Sequence, residues 1–223
     1  MIYPTIRIDN FFKRFDKVKE WANSLEYLPS EGNYPGCRTR PIHEIDPLFF
    51  QNTTRKIVAI LFPNDYVDMS WCATIQFQKT DPKIYPGPGF IHQDQHKLEF
   101  ATILYLDGDV EAGTSFYRPK GISVDRDSHV TIKNKCYKNP ELMKTDEFKQ
   151  AIHKHNNQFE ELSYCNAIPN SMVLFDTGVD HGAKDSGTKE RLTMVSFFGF
   201  AKRDKQEDKS LKYPLIELAR CST

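Results

Sequence analysis

The residues with the clearest chemical potential are His92 and Asp94, which are separated by one glutamine in a short segment with strand character. Alternate residues of a strand project from the same face, and two positions along its backbone are about 6.5–7 Å apart. An imidazole nitrogen and a carboxylate oxygen at this spacing can ligate one metal ion. Because H-x-D is a short pattern that often arises by chance, the interpretation needs a third ligand from elsewhere in the chain.

His181 is the best candidate for that third ligand. It follows an apolar strand candidate at 172–176 and a Gly-containing turn, so its imidazole is expected at a strand end. Two histidines and one carboxylate form the facial ligand set of non-haem Fe(II) oxygenases. His96 is a competing ligand if the strand continues. His153 and His155, two apart on a predicted helix, are expected to point to different faces and to be solvated.

Arg191 begins another strand candidate, and Thr193 lies on the same face of that strand. A guanidinium in such a place commonly faces solvent or pairs with a surface carboxylate. Its planar fork can also hold a carboxylate through two hydrogen bonds, and the Thr193 hydroxyl can join the same group. A dicarboxylate bound to the metal through one end would reach this pair with its other end.

The elements that must position these residues are predicted to be mainly β-strands from residue 69 onward. Residues 69–77 alternate apolar and polar side chains with the period of two that a half-buried strand requires. Gly, Pro, Asn or Asp turn signals separate the other strand candidates, at 90–94, 100–106, 114–117, 172–176 and 191–200. Several short strands of this kind favour a sandwich or a barrel.

Two amphipathic helices are predicted before the strands. Asp9 can cap a helix that carries apolar residues at spacings of three and four from Phe11 to Leu25, and a second helix is predicted at about 47–61. We expect these helices to cover a sheet. The loops at 34–40 and 85–90 are rich in aromatic residues and are candidates for a lid or a substrate wall.

A charged segment at about 121–164 interrupts the strand series, and within it Thr145 is predicted to cap a helix. The strands resume after this segment, and the sequence contains no linker that would separate two cores. The length of 223 residues fits one large domain. We therefore predict a single domain with helical support at 1–65, a core at 66–200 that contains the insertion, and a tail at 201–223.

Composition excludes several partners. Thirty basic and thirty acidic residues give a formal net charge of zero, so no electrostatic argument supports nucleic acid or an anionic membrane as a partner. Five cysteines without a C-x-x-C pair indicate neither a disulfide framework nor a thiolate zinc site. The longest apolar run, Ile57 to Phe62, is too short to span a bilayer. These observations predict a cytoplasmic location.

In their order and spacing, these segments resemble the Fe(II)/2-oxoglutarate-dependent oxygenases, most closely the prolyl 4-hydroxylase-like branch. In that branch a Tyr-Pro-Gly stretch precedes the H-x-D pair, a Tyr-Leu strand follows it, and a Gly-rich turn leads to Thr-x-Phe. The corresponding residues here are Tyr85-Pro86-Gly87, Tyr105-Leu106 and Gly113-Thr114-Ser115-Phe116. An uncharacterised group of the same superfamily has an early loop similar to Tyr34-Pro35-Gly36-Cys37-Arg38.

The resemblance implies a mainly β fold with flanking helices (α+β), built on a double-stranded β-helix or jelly-roll core with the N-terminal helices packed on one sheet. It casts His92, Asp94 and His181 as the catalytic Fe(II) ligands. The implied reaction uses 2-oxoglutarate and O₂ to hydroxylate a C–H bond and releases succinate and CO₂. Because the carboxylate ligand is present, hydroxylation or demethylation is favoured over halogenation.

The same resemblance assigns Arg191 to the distal carboxylate of 2-oxoglutarate, with contacts from Tyr105, Tyr85 and Thr193. It does not extend to the substrate, because the insertion lies where such enzymes differ. A small metabolite, a free amino acid and a protein side chain all remain open. The alternatives are a catalytically silent jelly-roll that serves as a binding module, and a cupin-like metalloenzyme that works without 2-oxoglutarate. Arg191 discriminates, since the cupin-like enzyme would not need it.

Overall fold

The structure is a computed structural model that describes residues 5–63, 71–94, 99–121, 124 and 127–200, without the side chains of 127–129 and 200. Its strands are β1 (Ile6–Ile8), β2 (Leu28–Pro29), β3 (Cys37–Arg38), β4 (Trp71–Thr80), β5 (Phe100–Asp107), β6 (Thr114–Pro119), β7 (Phe159–Cys165), β8 (Met172–Asp176), β9 (Asp180–Ala183) and β10 (Arg191–Phe200). Its helices are α1 (Phe15–Ser24), α2 (Ile42–Ile45), α3 (Pro47–Leu61), α4 (Asp127–Lys138) and α5 (Asp146–Asn156), with a 3₁₀ turn at Pro140–Lys144.

The larger sheet has the strand order β1-β8-β5-β10-β4-β3-β2, and all of its neighbouring strands run antiparallel. Its central strand, β10, pairs along its whole length with β4. Side chains alternate between the two faces of β10. Met194 is fully buried among the apolar side chains of the helical layer, whereas Thr193 and Val195 line a cavity on the opposite face.

The N-terminal helices pack on the outer face of this sheet, as predicted. The rings of Trp21 in α1 and Phe77 in β4 meet edge to face, with their centroids 5.5 Å apart. In α3, Ile57 and Val58 are fully buried against the same sheet. Burying a large apolar side chain contributes about 1.5–3 kcal/mol, so this contact stabilises the scaffold.

The two predicted helix starts had different outcomes. Helix α3 begins at Pro47, where the Asp46 side chain accepts a hydrogen bond from the Phe49 N–H at 2.9 Å. The predicted cap at Asp9 is wrong, because α1 begins at Phe15. The N–H groups of Phe11 and Phe12 bond instead to Asn170, through its backbone and side-chain oxygens respectively. These bonds hold the segment against the turn that precedes β8 and outside a helix.

A smaller sheet with the order β7-β6-β9 faces the larger one. Phe116 of β6 and Phe175 of β8 have ring centroids 5.2 Å apart and belong to the apolar cluster between the two sheets. The strands predicted at 100–106, 114–117, 172–176 and 191–200 are confirmed, the first extending to Asp107 and the second to Pro119. The strand predicted at 69–77 is observed at Trp71–Thr80, while residues 69 and 70 lie outside the described part.

The segment at 121–164 contributes α4, the 3₁₀ turn, α5 and most of β7, which pairs with β6 in the smaller sheet. Thr145 caps α5, as predicted, by accepting a hydrogen bond from the Phe148 N–H at 3.3 Å. The helices pack around Phe90, whose ring meets that of Phe148 at a centroid distance of 5.4 Å. No helix in the described ranges combines the length and apolar character that crossing a bilayer requires.

Candidate metal centre

The segment that carries His92 and Asp94 runs beside β9. His92 and His181 exchange two backbone hydrogen bonds of 2.9 Å, and the Asp94 N–H donates to the Thr177 carbonyl at 2.9 Å. The prediction of a regular strand at 90–94 is wrong, because His92 forms an isolated bridge to His181 and the residues around it do not continue a ladder. The backbone bridge nevertheless brings the two imidazoles to neighbouring positions.

The three predicted metal-ligating side chains converge. Asp94 lies 3.8 Å from His92 Nε2 through Oδ1 and 3.5 Å from His181 Nε2 through Oδ2. The ligand atoms of all three residues lie within 4.8 Å of one another. Metal–ligand bonds of about 2.0–2.2 Å separate two ligand atoms on one ion by about 3–4 Å. The observed separations therefore suit chelation with small side-chain movements.

Both histidines are oriented for chelation by their second ring nitrogen. His92 Nδ1 lies 2.8 Å from the Phe90 carbonyl oxygen, and His181 Nδ1 lies 2.9 Å from the Val179 carbonyl oxygen. A carbonyl oxygen can only accept a hydrogen bond, so in the neutral imidazole each Nδ1 carries the proton and each Nε2 keeps its lone pair. Metal-ligating histidines commonly have this outer partner, which fixes the tautomer and the ring orientation.

Exposure differs across the three side chains. His92 has 31% of its side chain exposed, compared with 15% for Asp94 and 6% for His181. The cluster therefore opens towards solvent on the His92 side and is closed on the His181 side, where the ring centroid of Phe175 in β8 lies 4.5 Å from that of the imidazole.

Arg191 lines the same cavity, whose volume is about 410 Å³. Its Nη1 donates to the Ala112 carbonyl at 3.2 Å, and among the described residues no carboxylate oxygen lies within 4.0 Å of its guanidinium. Burial lowers the pKa of Arg191, while the nearby hydroxyls of Tyr105 and Tyr137 act in the opposite direction. The guanidinium is thus a partly buried cation that bonds to a carbonyl oxygen and has room for an anion.

The three other residues that the resemblance assigned to 2-oxoglutarate occupy different places. Thr193 lines the cavity beside Arg191. Tyr105 is buried, and its hydroxyl donates to Thr114 Oγ1 at 2.7 Å; Thr114 itself lines the cavity. Burial raises the pKa of Tyr105 to about 12, although Thr114 and Arg191 oppose the rise. Tyr85 is not among the cavity-lining residues, and its hydroxyl lies 3.5 Å from the Tyr137 carbonyl oxygen.

Sequence reasoning missed several cavity residues. Lys133 and Tyr137 come from α4, and no motif marked either of them. Arg38 also lines the cavity and belongs to the loop noted as a lid or substrate wall. The signal in the sequence of this loop is the glycine of Tyr34-Pro35-Gly36. Gly36 has a φ of +84°, and a Cβ there would lie 1.9 Å from the Lys79 carbonyl oxygen. Only glycine at this position therefore lets β3 approach β4.

The expectation that His155 is solvated is wrong. It is buried, and its Nε2 lies 2.7 Å from the Ile91 carbonyl oxygen. The neighbouring Asn156 accepts from the Ile91 N–H at 3.1 Å and donates to the Gly89 carbonyl at 3.0 Å. The end of α5 therefore holds the backbone that leads into His92 and Asp94. His153 is exposed, as expected, whereas His96 lies outside the described residues.

Comparison with known families places the chain in a family. Its residues 3–198 match the model described as "Family of unknown function (DUF6445)", and the chain belongs to this family. A comparison with curated proteins found no match.

Solved structures share the fold. HygX from Streptomyces hygroscopicus, solved with nickel and 2-oxoglutarate bound, is 11% identical with a TM-score of 0.56, and the match covers 95% of this chain and 90% of HygX. The non-haem α-ketoglutarate-dependent epimerase SnoN from nogalamycin biosynthesis is 11% identical with a TM-score of 0.54, covering 94% of this chain and 89% of SnoN. A Pseudomonas putida prolyl-4-hydroxylase is 13% identical with a TM-score of 0.50, covering 90% of this chain and 94% of that enzyme.

These similarities confirm the predicted fold, a jelly-roll with N-terminal helices packed on one sheet, and the predicted likeness to prolyl 4-hydroxylase-like and other 2-oxoglutarate/Fe(II) oxygenases.

Proposed function

We propose that this protein is an Fe(II)- and 2-oxoglutarate-dependent dioxygenase that uses O₂ to hydroxylate a C–H bond of its substrate and releases succinate and CO₂. The observation that carries the proposal is the presence in one cavity of the His92, Asp94 and His181 cluster together with Arg191, a cation without a carboxylate partner among the described residues.

The donor set fits a ferrous ion. Two neutral imidazole nitrogens and one carboxylate oxygen are the ligands of the facial triad, and they leave further coordination positions open for a cosubstrate. When bound, the metal and the 2-oxo acid supply the oxidative chemistry that side chains cannot perform. HygX, with nickel and 2-oxoglutarate bound, supports the proposal as a protein of the same fold that holds both kinds of group.

Arg191 would bind the distal carboxylate of 2-oxoglutarate through its guanidinium fork, and the Thr193 hydroxyl would join it. Tyr105 would act through Thr114, whose hydroxyl it holds at the cavity wall. The position of Tyr85 outside the cavity lining gives it no direct contact in this proposal.

An anaerobic titration tests the proposal. Purified protein is mixed with Fe(II) and 2-oxoglutarate, and the visible charge-transfer absorption of the chelate is recorded. Succinate release is then measured in air against a panel of metabolites, amino acids and peptides. We expect the absorption band with the wild type and with His43→Ala, which replaces an exposed histidine away from the cavity, and its loss with His92→Ala.

The outcomes separate the alternatives. If neither metal nor 2-oxoglutarate binds, the protein is a silent binding module and the proposal is wrong. If Fe(II) binds without any effect of 2-oxoglutarate, the cupin-like alternative holds. Binding of both followed by substrate-stimulated succinate release supports the proposal.

A further inference from the structure

A second guanidinium, that of Arg38, faces the cavity from β3. Its Nε donates to Gln78 Oε1 at 2.9 Å, and its Cζ lies 3.8 Å from the centre of the Tyr34 ring. The Gln78 amide in turn donates to the Pro35 carbonyl at 2.8 Å. Within the ranges that the structure describes, no carboxylate oxygen lies within 4.0 Å of this guanidinium. Arg38 is therefore held in place from two sides while its terminal amino groups lack an anionic partner there.

Lys133 brings another positive charge to the same part of the cavity. It lies on α4, is partly buried and lines the cavity with Arg38. The carboxylate of Asp94 favours the protonated form of both side chains, and for Arg38 the Tyr34 hydroxyl acts more strongly in the same direction. Burial lowers the pKa of Lys133, and it lowers the pKa of Arg38 to about 10, which leaves Arg38 protonated at neutral pH.

These two cations are distinct from Arg191. Strand β4 lies between β3 and β10 in the sheet, so two strand spacings, roughly 10 Å, separate the backbones of Arg38 and Arg191. The side chains that raise the pKa of Arg191 are the hydroxyls of Tyr105 and Tyr137, and Asp94 is not among them. One carboxylate bound at Arg191 therefore leaves the Arg38 side of the cavity free.

The charges of the cavity with metal and 2-oxoglutarate bound indicate which kind of ligand Arg38 and Lys133 would bind. A ferrous ion, the carboxylate of Asp94, the two carboxylates of 2-oxoglutarate and the guanidinium of Arg191 together have no net charge. Arg38 and Lys133 then remain as positive charges in a partly buried space. A buried cation without a counterion is costly, so a ligand that supplies the missing negative charge is favoured.

We propose that Arg38 and Lys133 form the binding site for an oxyanion, a carboxylate or a phosphate, carried by the primary substrate. The inference rests on the proposed function, because it assigns Arg191 to the cosubstrate. The cavity volume of about 410 Å³ is suited to a small molecule. The Arg38 fork provides two parallel donors, Lys133 provides a mobile point charge, and the Tyr34 ring restrains the guanidinium plane.

The test uses the full chain loaded with Ni(II) and saturating 2-oxoglutarate, a complex that does not turn over. Acetate and inorganic phosphate are titrated separately at low ionic strength by calorimetry. We expect at least one of them to bind, and the tighter one identifies the oxyanion. Arg38→Gln should weaken that binding at least tenfold and Lys133→Met severalfold, while the affinity for 2-oxoglutarate is unchanged.

Two matched controls replace exposed cations near these positions. Arg40→Gln changes an arginine just after β3, and Lys135→Met changes a lysine of α4; both are expected to bind the anion as the wild type does. Failure of both anions to bind the wild type would overturn the inference. Equal affinities of Arg38→Gln and Arg40→Gln, or of Lys133→Met and Lys135→Met, would do the same.

The inference and the proposed function can fail separately. If Ni(II) and 2-oxoglutarate bind but neither anion does, the oxyanion site is wrong and the proposed function stands. If Ni(II) and 2-oxoglutarate do not bind, the proposed function is wrong. The anion titration of the metal-free wild type and of Arg38→Gln then decides the oxyanion site by the same criteria.

Discussion

The two faces of the larger sheet are built from the same strands but have opposite characters. The outer face is filled by α1 and α3 and is almost wholly apolar, with Met194, Phe77 and Leu104 fully buried. The inner face presents polar and charged side chains to a cavity, among them Gln78 and Arg191. Neighbouring residues of a strand point to opposite faces. One residue of a strand therefore packs in the apolar layer and stabilises the fold, while the next residue lines the cavity. We therefore expect substitutions on the outer face to lower stability without affecting ligand binding, and substitutions on the inner face to do the reverse.

The largest effect is expected from Asp94→Ala. Loss of one metal ligand should reduce 2-oxoglutarate-dependent succinate release at least about a thousandfold, equivalent to about 4 kcal/mol of activation free energy. The free energy of unfolding, measured in urea, should change by less than about 1 kcal/mol, because Asp94 lies at the cavity and outside the apolar layer. Retained succinate release would show that Asp94 is not a ligand.

Met194→Ala is the opposite experiment. Deleting this fully buried side chain should lower the free energy of unfolding by about 2–5 kcal/mol, because it leaves a cavity between the sheet and the helices. The dissociation constant of 2-oxoglutarate, measured at a temperature where the variant is folded, should not change. A large loss of 2-oxoglutarate affinity would mean that the two faces are coupled.

Arg191→Gln should weaken 2-oxoglutarate binding by about 2 kcal/mol, or about thirtyfold, because a charge-assisted bidentate contact is lost. The measurement is the half-saturation concentration of 2-oxoglutarate in the anaerobic absorption titration. Arg118→Gln, which removes an exposed arginine paired with Glu160, is the control and should have no effect. If both variants bind equally well, Arg191 does not hold the cosubstrate.

The smallest effect concerns the loop before Arg191. Asp109 accepts hydrogen bonds from the Thr188 N–H and hydroxyl and from the Lys189 N–H, and these bonds lower the pKa of its carboxyl group. A carboxyl group whose pKa is lower in the folded state stabilises the protein above its unfolded-state pKa. That contribution is lost as the pH falls through the folded-state value.

We therefore expect the wild type to unfold at higher urea concentration than Asp109→Asn near pH 6, with the difference shrinking below about pH 4. Urea unfolding of both proteins at a series of pH values measures this difference. A difference that does not vary with pH would show that the charge of Asp109 is not what stabilises this loop.

The sequence predicted those features that depend on local spacing. The alternation at 69–77 predicted β4 and the apolar run at 172–176 predicted β8. The H-x-D pair, His181 and Arg191 are candidate site residues on the sequence alone. The start of α1 was missed because the competing partner of Phe11 and Phe12 is Asn170, which is 158 positions away from Phe12. Local capping rules carry no information about such a contact.

The cavity walls were predicted less well than the convergence of His92, Asp94 and His181. Lys133 and Tyr137 reach the cavity because the helices of the 121–164 segment pack around Phe90, and helical periodicity alone does not say which side of α4 will face a ligand. His155 was misjudged for the same reason, since its partner is the backbone of Ile91. Residues that complete a site through long-range packing were thus the ones that sequence patterns did not reveal.

The hydrogen bonds from the end of α5 have a consequence for protein engineering. Asn156 and His155 bind the backbone at Gly89 and Ile91, immediately before the first histidine of the cluster. Shortening the 121–164 segment, or exchanging it for the equivalent stretch of another protein of this fold, would release that backbone from its support. A functional chimera would have to carry the His-Asn pair along with the graft.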